Sequence, residues 1–133
     1  MLDVKFERWI IMASFKELEV FKLSVKYVKS IYQITQSYPK EGKFGLVSQM
    51  RDAAIGIPSC IAESTGRRTA NDRKHFIDIA LASLYETHSK LIVSETLEYI
   101  VIERSNNAEP FIKKLKAKLI PYQNSIKDRP SNV

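Results

Sequence analysis

Few residues in this chain could do chemistry. Cys60 is the single cysteine, and His75 and His88 are the two histidines. One cysteine excludes an intramolecular disulfide and a multi-cysteine metal cluster. A di-iron site in a helical bundle needs inward glutamates and two Glu-x-x-His motifs, because two metals share about six ligands. The chain offers one Asp72-x-x-His75. His88 stands two residues from Glu86, a spacing that puts the pair on different faces of a helix. Cys60 sits one turn from apolar positions, without a visible base or oxyanion hole, and reads as a small buried hydrophobe. Ser59 lies one turn from Glu63, but no histidine joins them to activate the hydroxyl. Ser59 is expected to satisfy a backbone group freed by Pro58, and Glu63 to pair with Arg67 at i,i+4. There is no Gly-Lys-Ser/Thr phosphate loop and no His-Glu-x-x-His. These residues point away from catalysis, and neither a cofactor nor a metal is expected.

What the sequence does concentrate is positive charge. Of 133 residues, 21 are Lys or Arg and 15 are Asp or Glu, for a formal charge of +6. Residues 1–66 carry a net +2 and residues 67–133 a net +4. Arg67, Arg68, Arg73 and Lys74 surround one turn, with Glu63 and Asp72 as the nearby acids. The helix that follows starts with free amides, which suit a phosphate. With Arg51, these residues form the candidate nucleic-acid-binding set; the plainer reading is a solvated turn with local salt bridges. Lys113, Lys114, Lys116 and Lys118 divide between two faces and read as solvated surface.

Helices must position these groups. Ser14-Phe15-Lys16-Glu17 has the form of a capping box. After it, Leu18, Phe21, Val25, Val28 and Tyr32 form one apolar row, and Val20, Tyr27, Ile31 and Ile34 a second, predicting a helix over 15–37. Pro39 disfavours helical geometry at Tyr38 and ends it. A second helix starts near Phe44, buries Leu46, Met50, Ala53, Ile57 and Ile61, and kinks at Pro58 with Gly56 easing the bend. Gly66 is expected to cap it. Thr69-Ala70-Asn71-Asp72 opens a third helix over 70–97, with a stripe of Phe76, Ala80, Leu84, Thr87, Leu91 and Ser94. Tyr99, Ile100 and Ile102 should tuck over the bundle end. Pro110 suits the first turn of a fourth helix whose stripe is Phe111, Leu115, Leu119, Tyr122 and Ile126, with Pro121 kinking or ending it. No strand pattern finds a partner.

The expected class is all-α, an antiparallel up-down four-helix bundle with its second helix kinked at Pro58. Residues 1–13 read as an N-terminal extension, 14–127 as the bundle domain and 128–133 as a frayed tail. The chain is 44% hydrophobic and 27% charged, which suits a globular domain and excludes a disordered or low-complexity one. No stretch reaches the ~18 apolar residues of a membrane span. The patch Trp9-Ile10-Ile11-Met12 lacks a cleavage site, so no membrane partner is expected and the cytoplasm is the default location.

Residues 15–100 carry a specific resemblance. Phe15-Lys16-Glu17-Leu18-Glu19-Val20-Phe21 is followed by Pro39-Lys40-Glu41, Gly45-Leu46-x-Ser48-Gln49-Met50-Arg51, Ile57-Pro58-Ser59-x-Ile61-Ala62-Glu63 and Gly66-Arg67-Arg68. Motifs in this order and spacing resemble the 23S rRNA intervening-sequence proteins. Beyond Ile100 the likeness is the presence of a last helix. The chain departs from the family pattern at Asp52, where a basic residue is usual, and at Cys60, Ser64 and His88. The resemblance implies a bacterial, non-enzymatic four-helix protomer that assembles into a homopentamer. It also implies a fold shared with the accessory protein of diversity-generating retroelements, which binds reverse transcriptase and nucleic acid. Three functions therefore stand: an oligomeric bundle that binds RNA, an accessory module that binds a protein such as a reverse transcriptase, and a metal-dependent bundle enzyme.

Overall fold

The computed structural model describes residues 14–130. The Trp9 patch and the whole of the N-terminal extension, residues 1–13, lie outside them, as do residues 131–133. Four long helices carry the fold: α1 (Glu19–Thr35), α2 (Ser48–Gly66), α3 (Ala70–Thr96) and α4 (Glu109–Ser125). Each packs on its chain neighbour, and α4 returns to α1, closing a ring of four around one core. This is the expected all-α four-helix bundle, and no strand occurs among the described residues.

The helix ends depart from the sequence reading in informative ways. Phe15–Glu17 is a 3-10 turn, the Ser14 hydroxyl makes no capping bond, and α1 starts at Glu19. Before α2, the chain winds through a helical turn at Lys40–Gly42 and a π-helical turn at Lys43–Val47, headed by Pro39 in extended geometry. α2 passes through Pro58 as one helix. Ser59 is exposed and its hydroxyl forms no hydrogen bond among the described residues, so the expected rescue of a freed backbone group is absent. Gly66 is the last residue of α2 and has no positive φ; the helix stops because Arg67 turns extended, at ψ 156°. Gly56 serves packing: an added Cβ would stand 3.4 Å from Ser83 Oγ on α3.

α3 ends in a Schellman turn. The Tyr99 amide donates to the Ser94 carbonyl at 2.9 Å and the Glu98 amide to the Glu95 carbonyl at 3.0 Å. Glu98 takes the left-handed position, at φ 61°, which usually belongs to glycine. The turn swings Tyr99 against Tyr38 and over Gly42, where an added Cβ would meet the Tyr99 ring at 2.9 Å. Ile100 is buried with them, whereas Ile102 is exposed, contrary to expectation. A single helical turn at Ile102–Ser105 and a 3-10 turn at Asn106–Ala108 lead into α4, which continues past Pro121 to Ser125.

The core selects one of the two rows on α1. Val20, Tyr27, Ile31 and Ile34 are buried, while Val25 and Tyr32 are exposed. On α3, Ile77 is buried in place of Phe76, and on α4, Ile112 in place of Phe111. One hydrogen bond crosses the diagonal of the ring, between the Tyr27 hydroxyl and Thr87 Oγ1 at 2.7 Å. Thr87 spends its one proton on the Leu84 carbonyl at 2.8 Å, so Tyr27 is the donor across the core. Burial pushes the Tyr27 phenol up to about 12, against the lowering effect of the Thr87 contact.

Three outcomes follow. Thr87→Val strands a buried hydroxyl and should cost about 1–3 kcal/mol in chemical denaturation, whereas Tyr27→Phe leaves Thr87 bonded to Leu84 and should cost less. Because the phenol titrates near 10 when unfolded and near 12 when folded, wild-type stability should fall as pH rises from 10 towards 12. Tyr27→Phe should lose that part of the slope. Glu98→Gly relieves the left-handed strain and should raise stability by about 0.5–1 kcal/mol; an unchanged or lower midpoint would contradict this account of the turn.

Candidate nucleic-acid interface

The turn between α2 and α3 is built around a buried guanidinium. Arg73 is only 5% exposed. Its Nε donates to the Ser64 carbonyl at 3.1 Å and its Nη1 to the Lys127 carbonyl at 2.7 Å. It also meets the Tyr122 hydroxyl, and burial lowers its pKa from the usual guanidinium range. Ser64 Oγ returns a bond to the Arg73 carbonyl at 2.9 Å. Arg73 therefore clamps the end of α2 and the chain beyond α4. The sequence-based assignment of Arg73 to phosphate contact is corrected, because its donors are turned inward onto carbonyls.

The start of α3 is also occupied. Thr69 Oγ1 accepts the Asp72 amide at 3.1 Å, fulfilling the expected cap. Asp128 Oδ1 accepts the Ala70 amide at 2.6 Å. A carboxylate suits a helix N-terminus for the same reason a phosphate does. Here the chain supplies its own anion, so the amides expected to be free are partly taken. The segment after α4 is accordingly a strap, in which Asp128 and Arg129 are docked on the turn. The Arg129 amide donates to the Arg68 carbonyl at 2.7 Å, and Arg129 Nη1 reaches the Gly66 carbonyl at 3.5 Å.

This strap changes the membership of the basic turn. Arg67 and Arg68 are exposed. Arg67 pairs with Glu63 at 3.3 Å, as the i,i+4 spacing predicts, and lies over the Phe76 ring at 4.6 Å. Both contacts orient its guanidinium without burying it. Lys74 is half-buried, and its carbonyl accepts from Gln123 Nε2 at 2.9 Å. Arg129 joins from the far end of the chain. Sequence reasoning missed Asp128 and Arg129 because nothing local distinguishes a docked polar tail from a loose one.

Arg51 belongs elsewhere. It lies sixteen residues before Arg67, about 24 Å along the helix at 1.5 Å per residue. Its Nε donates to Thr35 Oγ1 at 3.0 Å, its Nη2 to the Tyr32 carbonyl at 3.3 Å, and its guanidinium covers the Tyr32 ring at 4.3 Å. The candidate set thus divides between the two ends of α2.

The remaining chemical residues have structural surroundings. Cys60 packs against the core, and burial, with Glu63 adding to it, pushes the thiol up, away from thiolate chemistry. His75 is exposed with its ring against Phe76. His88 Nε2 meets Glu109 Oε1 at 3.3 Å, a bridge from α3 to α4 that i,i+2 reasoning about Glu86 missed. Two of the α4 lysines are engaged: Lys118 with Glu19 at 3.0 Å, and Lys116 over Tyr85 at 4.4 Å. Among the described residues, no three His, Cys, Asp or Glu side chains gather to hold a metal, and no helix is long and apolar enough to cross a membrane.

Comparison with known proteins places this arrangement. A crystal structure from Bacteroides thetaiotaomicron, of a protein of unknown function from the S23 ribosomal protein family, superimposes with a TM-score of 0.70 at 20% identity. The match covers 80% of this chain and 99% of that one, and shows the same fold. The sequence matches no curated protein. Residues 16–121 match the family described as 23S rRNA-intervening sequence protein, from the 3-10 turn before α1 to Pro121 in α4. The chain belongs to the 23S rRNA-intervening sequence protein family.

Proposed function

We propose that this protein is a non-enzymatic, homo-oligomeric bundle that binds RNA through the basic turn between α2 and α3. The observation that carries the reading is the convergence of exposed Arg67 and Arg68 with half-buried Arg129 at one turn, where the Arg129 backbone amide donates to the Arg68 carbonyl at 2.7 Å. Arginine forks suit phosphate oxygens better than lysine point charges do. Arg67, Arg68, Lys74, Lys127 and Arg129 outnumber Glu63, Asp72 and Asp128 around the turn, so the excess there is cationic. Lys74 and Lys127 widen the patch.

Assembly is part of the proposal. Val25 on α1 and Ile55 on α2 are exposed apolar side chains, and α1 packs against α2. These side chains supply a surface for another copy, and five is the number of copies that the family resemblance implies. In a ring of five, each basic turn repeats around the axis and strengthens the field felt by a polyanion.

Electrophoretic shift of an rRNA fragment over a salt series tests the binding. Affinity should fall steeply with salt. Arg67→Ala combined with Arg68→Ala should weaken binding at least tenfold and lower the log–log salt slope by about two. Absence of a shift at low salt, with a protein partner retained after nuclease treatment, would replace RNA with the second reading, an accessory module for a protein such as a reverse transcriptase.

Light scattering tests the assembly. The wild-type mass should be five times that of one chain, and Val25→Asp should shift it towards the monomer while the helical circular dichroism persists. A wild-type monomer would overturn the oligomer.

A further inference from the structure

The other end of α2 holds a second cationic feature, separate from the basic turn. A cleft of about 480 Å³ opens between α1 and the π-helical turn that leads into α2. Lys29 and Gln33 line it from α1, Gln36 from the turn just after it, Lys43 from the π turn and Arg51 from α2, with Tyr32 at the wall. Among the described residues, three cations share this cleft and no carboxylate lines it. Among the described residues, none of the three meets an acid. Like charges gathered without counter-charges repel one another, and an anion relieves that repulsion.

Arg51 is held for such a role. Its Nε is fixed on Thr35 and its Nη2 on the Tyr32 carbonyl, while the guanidinium plane rests on the Tyr32 ring. Those contacts leave Nη1 for a ligand and reduce the ordering cost of using it. Lys29 and Lys43 are exposed and long, and can close over a bound anion. Gln33 and Gln36 add amide donors and acceptors, which suit the edge of a base better than they suit a bare phosphate. The cleft is within the size range of small-ligand sites. Its π-helical wall is a rare geometry that recurs at functional sites, and it also carries Phe44, which is 97% exposed.

We propose that this cleft binds a nucleotide through its phosphate, with Lys29, Lys43 and Arg51 as the anion contacts and Gln33 and Gln36 facing the base. The nucleotide is either free or the unpaired residue of a strand; the phosphate chemistry is the same. The site is independent of RNA binding at the basic turn, about 24 Å away along α2.

Calorimetric titration of the full chain with adenosine 5′-monophosphate, adenosine and a short single-stranded oligoribonucleotide tests it. The monophosphate should bind at least tenfold more tightly than adenosine. Lys29→Ala combined with Lys43→Ala should weaken monophosphate binding at least tenfold. Both side chains are exposed, so the thermal midpoint should stay unchanged. Arg67→Ala with Arg68→Ala should leave monophosphate binding intact, which separates this site from the basic turn. If the Lys29/Lys43 variant also loses affinity for the oligonucleotide, the ligand is a strand residue. If it loses the monophosphate alone, the ligand is a free nucleotide. Equal binding of adenosine and its monophosphate, no binding of either, or full affinity in the Lys29/Lys43 variant would overturn the proposal.

Discussion

The buried guanidinium of Arg73 is the constraint on which the α2–α3 end of this molecule depends. A charge taken out of water must be fully hydrogen-bonded, or it costs more than its site can return. Arg73 meets that condition with carbonyls from two distant segments, Ser64 at the end of α2 and Lys127 beyond α4, and with the Tyr122 hydroxyl. The same side chain thereby decides where α2 ends, how α3 departs and where the C-terminal strap lies. The strap then places Asp128 on the first amide of α3 and Arg129 beside Arg68. One residue that a charge count assigns to ligand binding instead arranges the residues that remain free to bind.

The bundle was legible in the sequence because its signal is repetitive. Apolar spacing of three and four, the Thr69 cap and the stops around Pro39 each point to the same four helices. What spacing leaves open is the choice between neighbouring rows. On α1 two apolar rows compete, and the helix rotates so that Tyr27 can reach Thr87 across the ring. On α3, Phe76 gives way to Ile77 because Phe76 serves as the platform under Arg67. These preferences belong to partners far along the chain and leave no local mark.

Helix ends were the least legible features. Glu98 holds a left-handed position that carries no glycine to announce it. Gly66, which does look like a terminator, has ordinary helical geometry, and extended Arg67 ends the helix instead. The π turn at Lys43–Val47 has no sequence signature of its own. It lies where Gly42 must pass under the Tyr99 ring, and no larger residue would fit beneath it. The candidate site was legible by composition and misread in geometry, since five basic residues resolve into one clamp, one cleft residue and three at the turn.

That division gives the +6 charge a structure. At the α2–α3 turn the arginines sit among acids that hold them in place, Glu63 for Arg67 and Asp128 under the strap. Such a surface is pre-oriented yet partly neutralised, and in the proposed oligomer that favours an extended polyanion touching several turns at once over a tight single contact. At the Arg51 end no acid among the described residues lines the cleft, and the cleft is concave. There the field is focused into a small volume, which favours one compact anion. The two ends of a single helix therefore present different electrostatic problems. Residues of one charge type solve them in different ways, because what surrounds each arginine sets whether it steers, clamps or binds.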